Sequence, residues 1–220
     1  EKLTYQAMEG FVHNLNTMHS RAGAQVPFSS INFGTDTSPE GRMVSEKLML
    51  AQEAGLGNGE TPIFPILIFK VKESINYNPG DPNYDLFKIA CRVSAKRLFP
   101  NFEFLDAPFN LQYYVEGRPE TEVATMGCRT RVIGNVNGPE VTDGRGNLAF
   151  TTINLPRLGI LAEGDLVKFW ASLDNMFDLA VKELLTRYDV QRKMKMRDFP
   201  FLMGQHLYVG SENLGPNDTI

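Results

Sequence analysis

Apolar residues at Leu3, Ala7, Met8, Phe11, Leu15 and Met18 recur at three- and four-residue steps, which predicts a helix over 3–21 with Gly23 as its stop. Residues 27–34 alternate apolar and polar and predict a short strand ending at Gly34. Ser38-Pro39-Glu40 has the form of a helix start, with a hydroxyl cap, a proline at the first position and an acid in the first turn. That helix runs toward Ala54 and is broken by Gly55, Gly57 and Gly59. The apolar, partly β-branched run 63–71 predicts a buried strand, with Pro65 near its start where a missing amide proton is tolerated. A turn cluster over 78–82 leads into a helix over 84–99 that Pro100 stops, and 111–115 predicts a further strand.

Residues 120–147 lack helical periodicity and carry Gly127, Gly134, Gly138, Gly144 and Gly146. They predict a long loop or irregular hairpin, and loops of this length in compact domains are usually functional or disordered. A buried strand over 148–155, stopped by Pro156, and an amphipathic helix over 165–187 follow. Leu166, Phe169, Trp170, Leu173, Phe177, Ala180 and Leu184 share one face of that helix. Strands alternating with helices give an α/β class with some parallel pairing.

Composition narrows the function. At 42% hydrophobic and 22% charged, the 220 residues can bury a core of one domain or two small ones. A net charge of −4 argues against a nucleic-acid groove, although a few local groups suffice to hold a nucleotide's phosphate. Two cysteines and three scattered histidines (His13, His19, His206) build neither a disulfide framework nor a metal site. No signal region opens the chain and no apolar run is long enough to span a bilayer, so no membrane partner and a cytoplasmic setting are expected. Glu1 leads straight into a helical pattern and the chain stops in a polar stretch, so a fragment of a longer protein is expected.

Cys128, in Met126-Gly127-Cys128-Arg129-Thr130, sits in the glycine-bearing loop, where Gly127 allows turns closed to other residues. It reads either as a sulfur presented to a cavity or as a small buried apolar residue. Cys91 falls inside a helical pattern and reads as packing, as His13 and His19 read as structural. Arg129 and Arg131 are loop anchors or solvated charges. Ser29, Ser30 and Asn32 read first as ordinary strand residues, and second as lining a pocket or holding a phosphate.

The strings Met126-Gly127-Cys128-Arg129-Thr130, Gly144-Arg145-Gly146-Asn147-Leu148 and Thr152-Ile153-Asn154-Leu155-Pro156-Arg157 resemble the finger loop and following strand of class III, glyoxyl-radical ribonucleotide reductases. The segments 6–16, 20–23, 27–32 and 201–206 resemble the same family, in the same order. The resemblance implies part of a ten-stranded α/β barrel with a loop, about 120–147, reaching into its centre. It makes Cys128 the residue that becomes a thiyl radical and takes the C3′ hydrogen of a ribonucleoside triphosphate. It places Asn147 against the ribose hydroxyls, where an amide donates and accepts at once, as against a plain turn residue. Met126 beside the tip, and more weakly Asn154, are further substrate-side candidates, against readings as packing and as the end of a strand.

The resemblance also implies partners and cofactors that these residues do not themselves provide. They are a glyoxyl radical made by an iron–sulfur activase with S-adenosylmethionine, nucleotide effectors, a homodimer and a structural zinc site elsewhere in the parent. An N-terminal regulatory domain and a C-terminal glyoxyl-radical domain are expected outside these residues, and the 220 residues alone are expected to be inactive. The alternatives are another glyoxyl-radical enzyme, an acyltransferase or dehydratase, and a non-catalytic assembly module with an inert Cys128.

Overall fold

The computed structural model describes residues 1–19, 25–127, 130–135, 138–142, 144–146, 148–205 and 210–219. Cys128, Arg129, Asn147 and His206 lie outside the described residues. The chain divides into two compact units, Glu1–Thr142 and Asp143–Ile220.

The first unit opens with helix α1 (Lys2–Thr17), followed by strand β1 (Ser30–Phe33), helix α2 (Pro39–Ala54), strand β2 (Ile66–Val71), helix α3 (Tyr84–Arg97) and strand β3 (Asn101–Phe104). The strands form a parallel sheet in the order β1-β2-β3, in which Asn32 aligns with Ile68 and Ile68 with Asn101. Each parallel step needs a crossover, and α2 and α3 supply the two. Helix α2 starts where Ser38 predicts, its side chain accepting from the Gly41 amide at 3.1 Å. At its other end the Arg97 guanidinium, buried, donates to the carbonyls of Glu53, Ala54 and Gly59. A cation over the last carbonyls of a helix satisfies orphan acceptors and opposes the negative end of its dipole.

The pleat separates two faces. Leu67, Phe69 and Val71 point at the helices, where they cluster with Leu48, Met49 and Ala51 of α2, Leu86, Ala90 and Val93 of α3 and Val12 of α1. Phe69 is fully buried, its ring edge-on to Phe33 and Phe102. The alternate residues, Ser30, Asn32, Ile66, Ile68, Lys70, Asn101 and Glu103, form the opposite face. In a parallel sheet covered on both sides such positions are normally apolar, and here five of the seven are polar.

After β3 the chain makes a short helix α4 (Pro108–Leu111) and an antiparallel hairpin, β4 (Ala124–Met126) and β5 (Thr130–Val132). The strand expected over 111–115 is not formed. Pro108 starts a helical turn there, and Val115 makes only an isolated bridge to Arg118. The first helix ends at Thr17, short of the expected Arg21. Cys91 is helical as expected but exposed rather than packed, because the buried stripe of α3 runs through Leu86, Ala90, Val93 and Arg97 and leaves position 91 on the outer side.

The second unit contains α5 (Leu155–Ala162), α6 (Leu166–Gln191) and α7 (Pro200–Gly204). The buried strand expected over 148–155 is not formed. Glu183, Arg187 and Gln191, one helical turn apart on α6, bond instead to the Thr151 hydroxyl and the carbonyls of Phe150 and Leu148, holding that segment along the helix. Pro156 opens α5 rather than closing a strand, and Asn154 caps it by accepting from the Arg157 amide at 3.0 Å. The helix expected over 165–187 forms as α6, with Asp165 as its cap and its end at Gln191, but Trp170 and Phe177 of the predicted inner face are more than half exposed. Among the described residues no helix is long and apolar enough to cross a membrane.

Candidate functional site

The polar face of the sheet holds the hairpin. Asn32 donates through Nδ2 to the Thr125 carbonyl at 2.8 Å and accepts at Oδ1 from the Thr125 amide at 2.9 Å. One side-chain amide thus substitutes for a neighbouring strand and satisfies both backbone groups of Thr125. The Thr125 hydroxyl donates to Glu103 Oε1 at 2.6 Å. Two residues on, the Gly127 amide donates to Ser30 Oγ at 3.0 Å. These three anchors, Asn32, Glu103 and Ser30, are residues of β1 or β3 on one face of the sheet, and the last is bonded by the residue immediately before Cys128.

Gly127 has a backbone φ of +63°, which L side chains rarely adopt. A Cβ there would lie 3.2 Å from the Phe28 ring, which itself packs edge-on against Phe64. The backbone conformation therefore favours glycine, and a side chain there would also have to displace the exposed Phe28 ring slightly.

The approach to the hairpin is tied by charge. The Glu122 carboxylate bridges Lys70 at 3.1 Å and Lys72 at 3.0 Å, and the Lys72 ammonium also lies over the Tyr114 ring. Burial works to lower the Lys72 pKa, but the Glu122 hydrogen bond and charge, with Tyr114, outweigh it and leave the ammonium's pKa raised. The far end of the loop returns to the same place. The Thr142 amide donates to the Glu120 carbonyl at 2.7 Å, and its hydroxyl lies 3.1 Å from the carbonyls of both Glu120 and Glu122. The loop is thus closed at its base between 120–122 and 142.

A cavity of about 400 Å³ opens beside the hairpin, between β3, α4 and β5, lined by Ile68, Asn101, Glu103, Phe109, Asn110, Thr125 and Arg131, among others. The Arg131 guanidinium lies 4.8 Å from the centre of the Phe109 ring. Burial pushes the Glu103 carboxyl above its ordinary pKa, and the Glu122 charge acts the same way, against the Thr125 hydrogen bond and the Lys70 and Arg131 charges. Among the described residues no group of three or more histidine, cysteine or acidic side chains is placed to hold a metal ion.

The residues nominated from sequence therefore divide. Ser30 and Asn32 are brought to the loop, where their polar atoms are engaged in holding it. Ser29 is not: among the described residues its hydroxyl reaches the Pro27 carbonyl alone, at 3.4 Å, and its own carbonyl accepts from Ile66. Met126 lies in β4, half-buried, and alternates with Thr125 to the other side of that strand. Asn154 is engaged as a helix cap in the second unit. Arg131 is an anchor through Phe109. Glu103, Glu122, Lys70, Lys72 and Thr125 were not singled out by the sequence reading. The alternation Asn101-Phe102-Glu103-Phe104 carried a strand signal that points Glu103 away from the aromatic core.

Comparison with known proteins bears on the family of the chain. The family model described as anaerobic ribonucleoside-triphosphate reductase matches residues 1–220. The chain is 37% identical over 204 residues to the anaerobic ribonucleoside-triphosphate reductase of Escherichia coli (strain K12), covering 91% of this chain and 28% of that protein. It is 37% identical over 205 residues to the protein of the same name from Salmonella typhimurium, covering 92% of this chain and 28% of that one. It is 33% identical over 227 residues to that of Enterobacteria phage T4, covering 100% of this chain and 36% of that one. The chain thus spans about a third or less of the length of these relatives.

Proposed function

Because the chain belongs to the anaerobic ribonucleoside-triphosphate reductase family, as the match over residues 1–220 shows, we propose that it supplies the radical-bearing loop of such an enzyme and the part of the catalytic barrel that holds that loop. The observation that carries this reading is the anchoring of Thr125 and Gly127 to the polar face of a parallel sheet, directly before Cys128. A sulfur that must meet one carbon of a substrate needs a fixed approach, since small misplacements are costly in rate. On this reading the three parallel strands are part of the ten-stranded barrel, and Asn32 and Ser30 position the loop rather than bind substrate.

The Cys128 thiyl takes the hydrogen atom from C3′ of a ribonucleoside triphosphate, forming S–H and a carbon radical. The 2′ hydroxyl leaves as water with one added proton. A reductant, formate going to carbon dioxide or a protein dithiol going to disulfide, supplies two electrons that with a second proton form the new C2′–H bond, and the hydrogen on sulfur returns to C3′ to regenerate the thiyl. An S–H bond and an activated C–H bond are similar in strength, so the transfer runs in either direction without a large uphill step. This chemistry uses the neutral thiol, unlike cysteine nucleophiles, which are activated by lowering their pKa. On this reading Asn147 is the residue that hydrogen-bonds the ribose hydroxyls, and Met126 is next but one to Cys128 in sequence.

In the parent enzyme a glyoxyl radical, generated by an iron–sulfur activase with S-adenosylmethionine, supplies the oxidising equivalent. The nucleotide effectors, homodimer, structural zinc and cytoplasmic setting belong to that parent. The names of the relatives disfavour an acyltransferase, a dehydratase or an inert module. The test is Cys128→Ser in the full-length enzyme with its activase. The glyoxyl radical should form as in the parent while deoxyribonucleotide production stops, and retained turnover removes Cys128 from the mechanism.

A further inference from the structure

Glu103 is an anomaly on β3. It is only 7% exposed, and no cation among the described residues bonds to it. Lys70 lies across from it in the β2–β3 register but bonds to Glu122. One carboxyl oxygen accepts the short Thr125 bond, while Oε2 is buried with no hydrogen-bond partner among the described residues. Burying an acid this way is unfavourable unless its contact with Thr125 does something an apolar residue could not. Asn32 already satisfies the backbone of Thr125, so the Glu103 bond adds nothing to backbone satisfaction. What it adds is a second constraint, from the opposite edge of the sheet. Asn32 fixes the position of the Thr125 backbone, and Glu103 fixes the rotation of β4 about its own axis, three residues before Cys128.

We infer that Glu103 is a positioning residue for the radical loop, acting through the Thr125 hydroxyl to fix the orientation in which β4 delivers Cys128. This rests on the reading of Cys128 as the hydrogen-abstracting residue. It requires no contact between Glu103 and substrate.

The test uses the full-length enzyme with its activase. Glu103→Ala and Thr125→Val should each lower kcat by about tenfold or more, with KM within about twofold of the parent and the glyoxyl-radical signal unchanged. The double variant should be no slower than the slower single one, because both remove one interaction. Glu103→Gln, which keeps an acceptor for the Thr125 hydroxyl, should restore kcat to within about threefold of the parent. A merely structural acid would lower radical yield, KM and kcat together, without rescue by glutamine. If Glu103→Ala does not fold, Thr125→Val decides, since it keeps the side-chain shape and removes only the hydroxyl. A Thr125→Val enzyme with parental kcat, or single effects that multiply in the double variant, overturns the inference. Cys128→Ser run alongside separates the two claims. If it retains turnover, the reading of Cys128 fails; if it is inactive while the Glu103 and Thr125 variants match the parent, only the positioning role of Glu103 fails.

Discussion

Replacing Asn32 with alanine removes both bonds to Thr125 and leaves that residue's amide and carbonyl without their partner. Each such bond nets about 0.5–1.5 kcal/mol, so docking of the hairpin on the sheet should weaken by about 1–3 kcal/mol. At about 1.4 kcal/mol per decade this is roughly a 5- to 150-fold rise in the undocked fraction. Amide hydrogen exchange reads that fraction residue by residue. Exchange should accelerate by this factor at Thr125 and Gly127, whose amides point to Asn32 and Ser30. It should not change at Phe69, in the core of β2. Asn32→Asp keeps the acceptor and loses the donor, so its effect should fall between parent and alanine. Parental exchange at Thr125 in Asn32→Ala refutes the anchoring. Equal acceleration at Phe69 refutes it too, since Asn32 would then support the whole sheet.

Two further outcomes follow from buried polar groups elsewhere. The Glu103 pKa is raised by burial above its ordinary value of 4.5, so the folded chain holds this proton more tightly than the unfolded one. That acid therefore imposes no penalty below the ordinary value and a growing one as pH rises from there through the folded value, so Glu103→Gln should gain stability relative to the parent between about pH 4 and about pH 7.5 in urea denaturation. A stability difference equal at both pH values contradicts this. Arg97→Met should destabilise by about 2–4 kcal/mol in the same assay, because the carbonyls of Glu53, Ala54 and Gly59 lose a buried cationic donor; a loss below about 0.5 kcal/mol would show that water replaces the guanidinium.

The helices were legible where local chemistry decides them. Ser38-Pro39-Glu40 carries its own start signal, and the length and β-branched content of the β2 run favour a buried strand. The segment 148–155 misled because its apolar content resembles a strand while its hydrogen-bond partners, Glu183, Arg187 and Gln191, lie more than 30 residues away. Asn154-Leu155-Pro156 fits a strand end and a helix start equally well, and the Arg157 amide decided between them. The site was legible in its centre and not in its supports. Cys128 and Asn147 stand out by motif, and both lie outside the described residues. Glu103, Glu122 and Lys70 are ordinary charged residues until the fold joins them to partners 22 and 52 positions distant. Asn32 and Ser30 were visible as polar strand positions, but their partners, 93 and 97 residues on, were not.

Substrate carrying deuterium at C3′ gives the most direct test of whether this loop delivers a hydrogen-abstracting sulfur. In the activated full-length enzyme, turnover of the 3′-deuterated ribonucleoside triphosphate should be slower than that of the protio substrate, and Cys128→Ser should leave the C3′ bond intact in either. Cleavage of that bond by the serine variant at the parental rate would contradict the account.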